Sequence, residues 1–294
     1  MPDLLTDAGP LCLMTVHAHP DDEASKGAGT VARARGEGVH TVLVCCTGGE
    51  QGDILNPAMD STEVRERLAE IRMEELAASM EVIGYDDLVL LGYRDSGMAG
   101  APENDDPRCF ARADHDEAVG RLVAAIRHHR PHVLVIYGDD QTGYPHPDHL
   151  RVHDIGVAAF DAAGDPTAHP DAGDPWQPLK LYYTVWSKAR VVAAHERFVA
   201  LGLESPFGDE WLGRPDQDDR ITTTVDISAF TDVRPRALLA HRTQVDPDSP
   251  IWFGLPPEEA RTVHPYDEYV LARSLVDSEV PEDDLFQGVA NRVH

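Results

Sequence analysis

Positive charge is scarce in this chain. Of 294 residues, 25 are Lys or Arg and 52 are Asp or Glu, a formal net charge of −27. Lysine occurs only at Lys26, Lys180 and Lys188. A field of that sign repels phosphate backbones and anionic lipid surfaces, so nucleic acid and a membrane surface are not expected as partners. A local basic pocket can still hold a small anion, so the substrate class stays open. Cysteine is also sparse. Cys12, Cys45, Cys46 and Cys109 lack the CxxC spacing of a zinc ribbon and read as reduced thiols packed like small apolar side chains, which fits a cytoplasmic location. No apolar run approaches the ~18 residues of a membrane span. The opening Met1-Pro2-Asp3-Leu4-Leu5-Thr6-Asp7 has no basic region of the kind that starts a secretory signal.

What is present is an alternation of two periodicities. Strand-like runs at Leu11–Ala18, Val39–Thr47, Leu88–Tyr93 and Val133–Gly138 separate helix-like stretches at Ala24–Gly38, Thr62–Ile83, Asp114–His129 and Asp148–Ala163. In Thr62–Ile83 the residues Val64, Leu68, Ile71, Leu76, Met80 and Ile83 fall at helical spacing. Continuous apolar strands between helices predict an α/β fold. It is Rossmann-like, a mostly parallel sheet with helices on both faces. Residues 1–165 form this core in our reading. Residues 166–294 complete the sheet and cover the substrate site: a loop at Asp165–Pro178, a strand at Leu179–Val185, a helix at Ala189–Leu201, a strand at Thr222–Ile227 and a helix at Ser228–His241 capped by Ser228. The tail, Asp246–His294, reads as an irregular, meandering cover over the site end of the sheet and not as a separate domain.

Two polar clusters stand at the ends of predicted strands, where sites form in such sheets. The first is His17-Ala18-His19-Pro20-Asp21-Asp22-Glu23 and the second Tyr144-Pro145-His146-Pro147-Asp148-His149. Pro and Asp also suit the first turn of a helix, where they cap free N–H groups, and each cluster alone admits that reading. Two clusters of the same composition at matching places favour one shared metal. His19 and Asp22, three residues apart, share one side of a turn, and His149 supplies a third ligand from the second loop. Zn²⁺ takes that donor set, and Fe²⁺ also accepts it. Asp21 stays free as a base toward water that the metal acidifies. A rival set uses His149 and His153 as an i,i+4 pair and leaves the first cluster without a task. The loop Gly48-Gly49-Glu50-Gln51-Gly52-Asp53 lacks a nucleotide fingerprint. Glu50 there reads either as a contact to a hydroxyl or the metal shell, or as a solvated carboxylate.

These motifs, with Thr47-Gly48-Gly49-Glu50, resemble the zinc-dependent N-acetylglucosaminyl-phosphatidylinositol de-N-acetylase family. Within that family, Gly49–Asp60, Leu91–Met98, Asp171–Trp176 and Leu285–Gly288 are similar to members that act on mycothiol S-conjugates. The resemblance covers nearly the whole chain. It implies His19, Asp22 and His149 as zinc ligands and Asp21 as general base. It also implies a protonated His146 that stabilises the oxyanion and delivers a proton to the leaving amine. Asp148 would orient that ring and Tyr144 would assist at the tetrahedral intermediate. Arg72 and Asp95 would contact the sugar, and Lys26 would favour a larger conjugate. Ala24 stands where such members often have Ser. The implied substrate is a small thiol–pseudodisaccharide conjugate cut between N-acetylcysteine and glucosamine, in detoxification or in antibiotic biosynthesis. The alternatives are deacetylation of N-acetylglucosaminyl-inositol and, in another class, metal-dependent binding of sugar or thiol without catalysis. The oligomeric state stays open.

Overall fold

The apolar run behind the first cluster forms β1 (Cys12–His17), with every residue buried. The structure, a computed structural model, describes residues 10–289. Residues 1–9, including the whole stretch read for a leader, and 290–294 lie outside the described residues. From β1 the chain runs through α1 (Asp22–Ser25) and α2 (Ala28–Gly36) to β2 (His40–Thr47), then through α3 (Thr62–Glu66) and α4 (Leu68–Ile83) to β3 (Asp87–Tyr93). It returns through α5 (His115–His129) to β4 (Val133–Tyr137), and α6 (Pro147–Ala162) leads to β5 (Lys180–Val185). The remainder holds α7 (Lys188–Ala200), α8 (Asp209–Leu212), β6 (Thr223–Asp226), α9 (Val233–Ala240), α10 (Pro250–Phe253), α11 (Pro257–Val263) and β7 (Tyr266–Ser274).

Among the described residues these strands make one sheet of seven, in the order β3-β2-β1-β4-β5-β7-β6. The pairs β1–β2, β1–β4, β2–β3 and β4–β5 are parallel; β7 runs antiparallel to β5 and β6. Side chains alternate across the strands, so both faces need cover. Leu13, Leu43 and Val135 pack on one face with Val31, Leu76 and Leu238. Met14, Val44 and Ile136 pack on the other with Leu122, Ile126 and Ile155. That explains why β1, β2 and β4 read as unbroken apolar runs. The chain leaves β1 toward β2 on one side and returns to β4 on the other, so the loops after β1 and β4 open a crevice at their carboxyl ends.

Several expectations change. Ala24–Gly38 is two helices, split where Lys26 is extended and Gly27 takes φ 83°. Thr62–Ile83 breaks at Arg67 (φ −112°) into α3 and α4. Ser228 caps no long helix. It begins a short 3-10 turn, Ser228–Phe230, and its N–H and hydroxyl bond Asp226; α9 starts at Val233. The tail contains a strand, β7. Its buried Asp267 and Glu268 masked the apolar pattern. Asp267 is met by Arg190, Arg234 and the hydroxyl of Thr30, and Glu268 by His264 at 3.0 Å.

Candidate metal centre

Strand ends hold both clusters in place. The Ala18 N–H after β1 donates to Tyr137 Oη at the end of β4 (2.9 Å), and Ala18 O accepts from the N–H and hydroxyl of Thr47 at the end of β2 (3.0 and 2.9 Å). Three strands thus fix the residue before His19. In the second cluster Pro147 takes the first position of α6, which suits its fixed φ and missing N–H. His146 caps that helix through Nδ1, which accepts the Asp148 N–H at 3.2 Å. His149 then sits buried in the first turn.

These constraints bring His19, Asp22 and His149 together, with donor atoms within 4.8 Å of one another and all three residues buried. Both imidazoles aim at one oxygen. Asp22 Oδ2 lies 3.4 Å from His19 Nδ1 and 3.3 Å from His149 Nε2. The other oxygen, Oδ1, is taken by Lys26 Nζ at 2.5 Å. Burial favours the protonated acid at Asp22, but Lys26 and His149 outweigh it and hold the carboxyl well below the usual range. Burial also pushes the His19 imidazole down, yet hydrogen bonds to Asp148, Asp22 and Asp95 hold it well above its ordinary value. Three buried carboxylates therefore favour positive charge at this point. Two imidazoles and a carboxylate facing one centre is a donor set that zinc and iron(II) accept, so the residues fit a divalent metal. His153 is not part of the set; its Nδ1 lies 3.1 Å from the Tyr137 carbonyl.

Asp148 stands apart from its expected task. Its carboxylate accepts from the Ser96 N–H (2.9 Å) and the Ser96 hydroxyl and lies 3.2 Å from His19 Nε2. Only its backbone touches His146. The grouping of His19, His146 and Asp148, also within 4.8 Å, is thus a shell behind the first. It holds the far nitrogen of a ligand ring, as metal-bound histidines require. Asp95 joins it, 3.5 Å from His19 Nε2 and pinned by the N–H groups of Gly97 and Gln51 (2.8 and 3.2 Å). The expectation of a protonated His146 is also revised. Burial, then the rings of His19 and His149, push it down to about 4. That direction favours the neutral ring, and because Nδ1 accepts the Asp148 N–H the ring proton of that form falls on Nε2.

Asp21 is not one of the three donors. It precedes α1 with φ 111°, and its side chain caps nothing, so the capping reading fails here. A non-glycine residue in that region costs of order 1–3 kcal/mol and persists only where its surroundings hold it. Two groups do so. Glu23 Oε2 accepts the Asp21 N–H at 2.8 Å, and Arg72 Nη2 lies 3.0 Å from Asp21 Oδ2. Arg72 is 2% exposed and also donates to the carbonyls of Pro20 and Gly49. In this structure it is a brace on the Asp21 loop, not a group open to a sugar. Gly49 (φ 63°) has no room for a Cβ beside that guanidinium. Asp21 itself keeps 31% of its side chain exposed.

Neither Glu23 nor His241 carries a task in the sequence pattern. Both are fully buried, and Glu23 Oε1 accepts from Ser79 Oγ at 2.5 Å and from His241 Nε2 at 2.6 Å. His241 follows α9, so the second half of the chain braces the first cluster. Losing one partner of such a buried pair costs roughly 3–5 kcal/mol. A shift of the base by ~1 Å can cost ~10²-fold in rate. His241→Leu is expected to lower kcat at least about tenfold on these grounds, with KM and metal content unchanged. His241→Gln, which keeps an N–H toward Glu23, should recover most of the loss. Steady-state kinetics with metal analysis checks this; equal kcat in wild type and the Leu variant would rule the brace out.

The remaining predicted residues lie around a cavity of about 630 Å³ beside the centre. Lys26, Tyr144 and His149 line it, together with Trp186, Trp211 and Trp252. The chain has four tryptophans; the fourth, Trp176, donates to the Pro131 carbonyl at 2.7 Å. Tyr144 is 54% exposed, with its ring 5.3 Å from that of His149. Glu50 stands off from the donors, 3.8 Å from Arg94.

Comparison with known proteins agrees with this geometry. The family described as PIG-L, GlcNAc-PI de-N-acetylase, matches residues 14–160. The mycothiol S-conjugate amidase of Streptomyces coelicolor is 44% identical, over 95% of this chain and 97% of its own. The 1D-myo-inositol 2-acetamido-2-deoxy-alpha-D-glucopyranoside deacetylase of Geodermatophilus obscurus is 39% identical, over 94% and 97%. Among solved structures, the N,N'-diacetylchitobiose deacetylase of Pyrococcus horikoshii superposes with a TM-score of 0.61 at 16% identity, over 88% of this chain and 83% of that one. A conserved protein of Thermus thermophilus gives 0.57 at 26% identity, over 91% and 97%.

Proposed function

Because this chain belongs to the PIG-L family of GlcNAc-PI de-N-acetylases, metal-dependent hydrolases of linear amide bonds, we propose that it cleaves the amide between N-acetylcysteine and glucosamine in mycothiol S-conjugates, with zinc as its metal. The cavity carries this reading over its nearest rival. An acetyl group needs no such space next to the reacting carbon, whereas an S-conjugated cysteine needs room for its substituent. The same cavity is lined by His149, Tyr144 and three tryptophans. Identity to the Streptomyces coelicolor amidase points the same way. A second reading, deacetylation of N-acetylglucosaminyl-inositol, is favoured by several relatives of that name at 39–40% identity.

In this mechanism His19 Nδ1, Asp22 Oδ2 and His149 Nε2 hold the metal. When bound, it supplies Lewis acidity, making water acidic enough to lose a proton near neutrality and polarising a carbonyl. Asp148 and Asp95 keep the His19 ring oriented. Asp21, raised by burial although Arg72 pulls it back, takes the proton of the attacking water. The oxygen adds to the amide carbon, and the Nε2–H of neutral His146 donates to the oxyanion, with the Tyr144 hydroxyl on the open side. Asp21 then carries the proton that the glucosamine nitrogen needs as the C–N bond breaks. The products are an N-acetylcysteine S-conjugate bearing a free carboxylate and glucosaminyl-inositol. Lys26, which is fixed on Asp22, lines the cavity beside the sugar, and Arg72 braces the Asp21 loop.

Turnover of a mycothiol conjugate with a bulky thioether, set against turnover of N-acetylglucosaminyl-inositol, tests the assignment. We expect kcat/KM for the conjugate to be higher by at least about tenfold, roughly 1.4 kcal/mol of transition-state binding. Cleavage of the acetylated sugar alone would transfer the assignment to the deacetylase reading.

A further inference from the structure

We propose that the chain carries a second transition-metal site, built by His40, Asp87 and His129 at the edge of the sheet opposite the candidate centre. The three residues are the first of β2, the first of β3 and the last of α5. Their donor atoms lie within 4.8 Å of one another. Asp87 Oδ2 is shared, 2.8 Å from His40 Nε2 and 3.5 Å from His129 Nδ1. Ligand atoms around a tetrahedral zinc, with bonds of about 2.0–2.1 Å, stand roughly 3.3 Å apart. The two contacts to Asp87 Oδ2, 2.8 and 3.5 Å, bracket that spacing. The donor set, two imidazoles and one carboxylate, repeats that of His19, Asp22 and His149.

A lone His–Asp hydrogen bond explains the His40–Asp87 contact but leaves three further observations unaccounted for. The first is the far nitrogen of His40. Nδ1 lies 3.4 Å from Asp86 Oδ2. Asp86 is itself fixed: Oδ2 accepts the Thr41 N–H (3.0 Å) and hydroxyl (3.2 Å), and Oδ1 pairs with Arg35 Nε at 2.9 Å. A carboxylate behind the second ring nitrogen is what orients a metal-bound histidine and sets its tautomer. The second is the end of α5. His129 closes that helix, whose last carbonyls carry negative partial charge and favour a cation. The third is access. The side chains of His40 and Asp87 are 35% and 46% exposed and that of His129 13%, so an ion and its water can enter without opening the core.

The site is separate from the hydrolytic one. Strand β2 carries His40 at one end and Thr47 at the other, roughly 23 Å apart in an extended strand. An ion there would tie the start of two strands to the end of a helix, and water would complete its coordination. It would brace the fold and touch no substrate.

Metal analysis of the full chain decides the matter. The protein is stripped with a chelator, reloaded with excess zinc and freed of unbound ion by gel filtration. Two zinc ions per chain are expected in the wild type. His129→Ala, Asp87→Asn and His40→Ala should each hold one and hydrolyse amides at a rate within twofold of wild type. Three variants are used so that one failing to fold, as seen by circular dichroism, does not decide the outcome. One zinc per wild-type chain, or two in the folded variants, overturns the proposal.

Discussion

Replacing Asp21 with Asn is expected to lower amide hydrolysis by about 10²–10⁴-fold, the range that a positioned general base contributes, with metal content unchanged. Asn has nearly the same size, and its carbonyl oxygen can still accept from Arg72 Nη2, which lies 3.0 Å from the native carboxylate. Glu23 still receives the backbone N–H, so the loop keeps its shape. What Asn cannot do is take a proton. The pH profile carries a second signature. Burial raises the Asp21 carboxyl above its ordinary value, with Arg72 opposing. A base works when deprotonated, so kcat/KM falls as pH drops through that raised value. The acid limb should lie above the ordinary aspartate pKa of about 3.9 and should be lost in the variant's residual activity. If the Asn variant turns substrate over at the wild-type rate, Asp21 is not the base.

His149→Ala is expected to remove one equivalent of metal per chain relative to wild type and to lower hydrolysis by about 10³-fold or more. A Lewis acid is worth several kcal/mol at the transition state and each 1.4 kcal/mol is tenfold. The expectation follows from convergence on one atom. His149 Nε2 and His19 Nδ1 both lie near Asp22 Oδ2, which also accepts the His19 N–H at 3.0 Å, while Lys26 takes the other oxygen. Without the third donor the remaining pair is a poor chelate. Parallel metal analysis and turnover of the purified variant test this. Full metal content with full activity would move the centre elsewhere, to the His19, His146 and Asp148 grouping.

The signals that were legible are local ones. Apolar runs such as Val133–Tyr137 mark strands buried on both faces, because period and burial are written into neighbouring residues. The clusters at their ends were legible for the same reason: a strand delivers its next residues to the sheet's edge, and composition names the donors. What stayed hidden was either polar or distant. β7 escaped because Asp267 and Glu268 break its apolar pattern, and their counterions on α7, α9 and the preceding loop are known only once the strand is placed. Asp148 was assigned to its sequence neighbour His146, yet its carboxylate turns to His19, 129 residues away.

By itself, then, the sequence determined the sheet's parallel core and the two loops that carry His19, Asp22 and His149, all set by patterns within a few residues. Tertiary structure alone decided what holds and surrounds them. The Glu23–His241 pair joins positions 218 residues apart, Arg72 is buried as a brace, and three tryptophans from separate segments meet at one cavity. Buried charges choose partners by proximity and low dielectric, and proximity between distant segments exists only after the chain has folded.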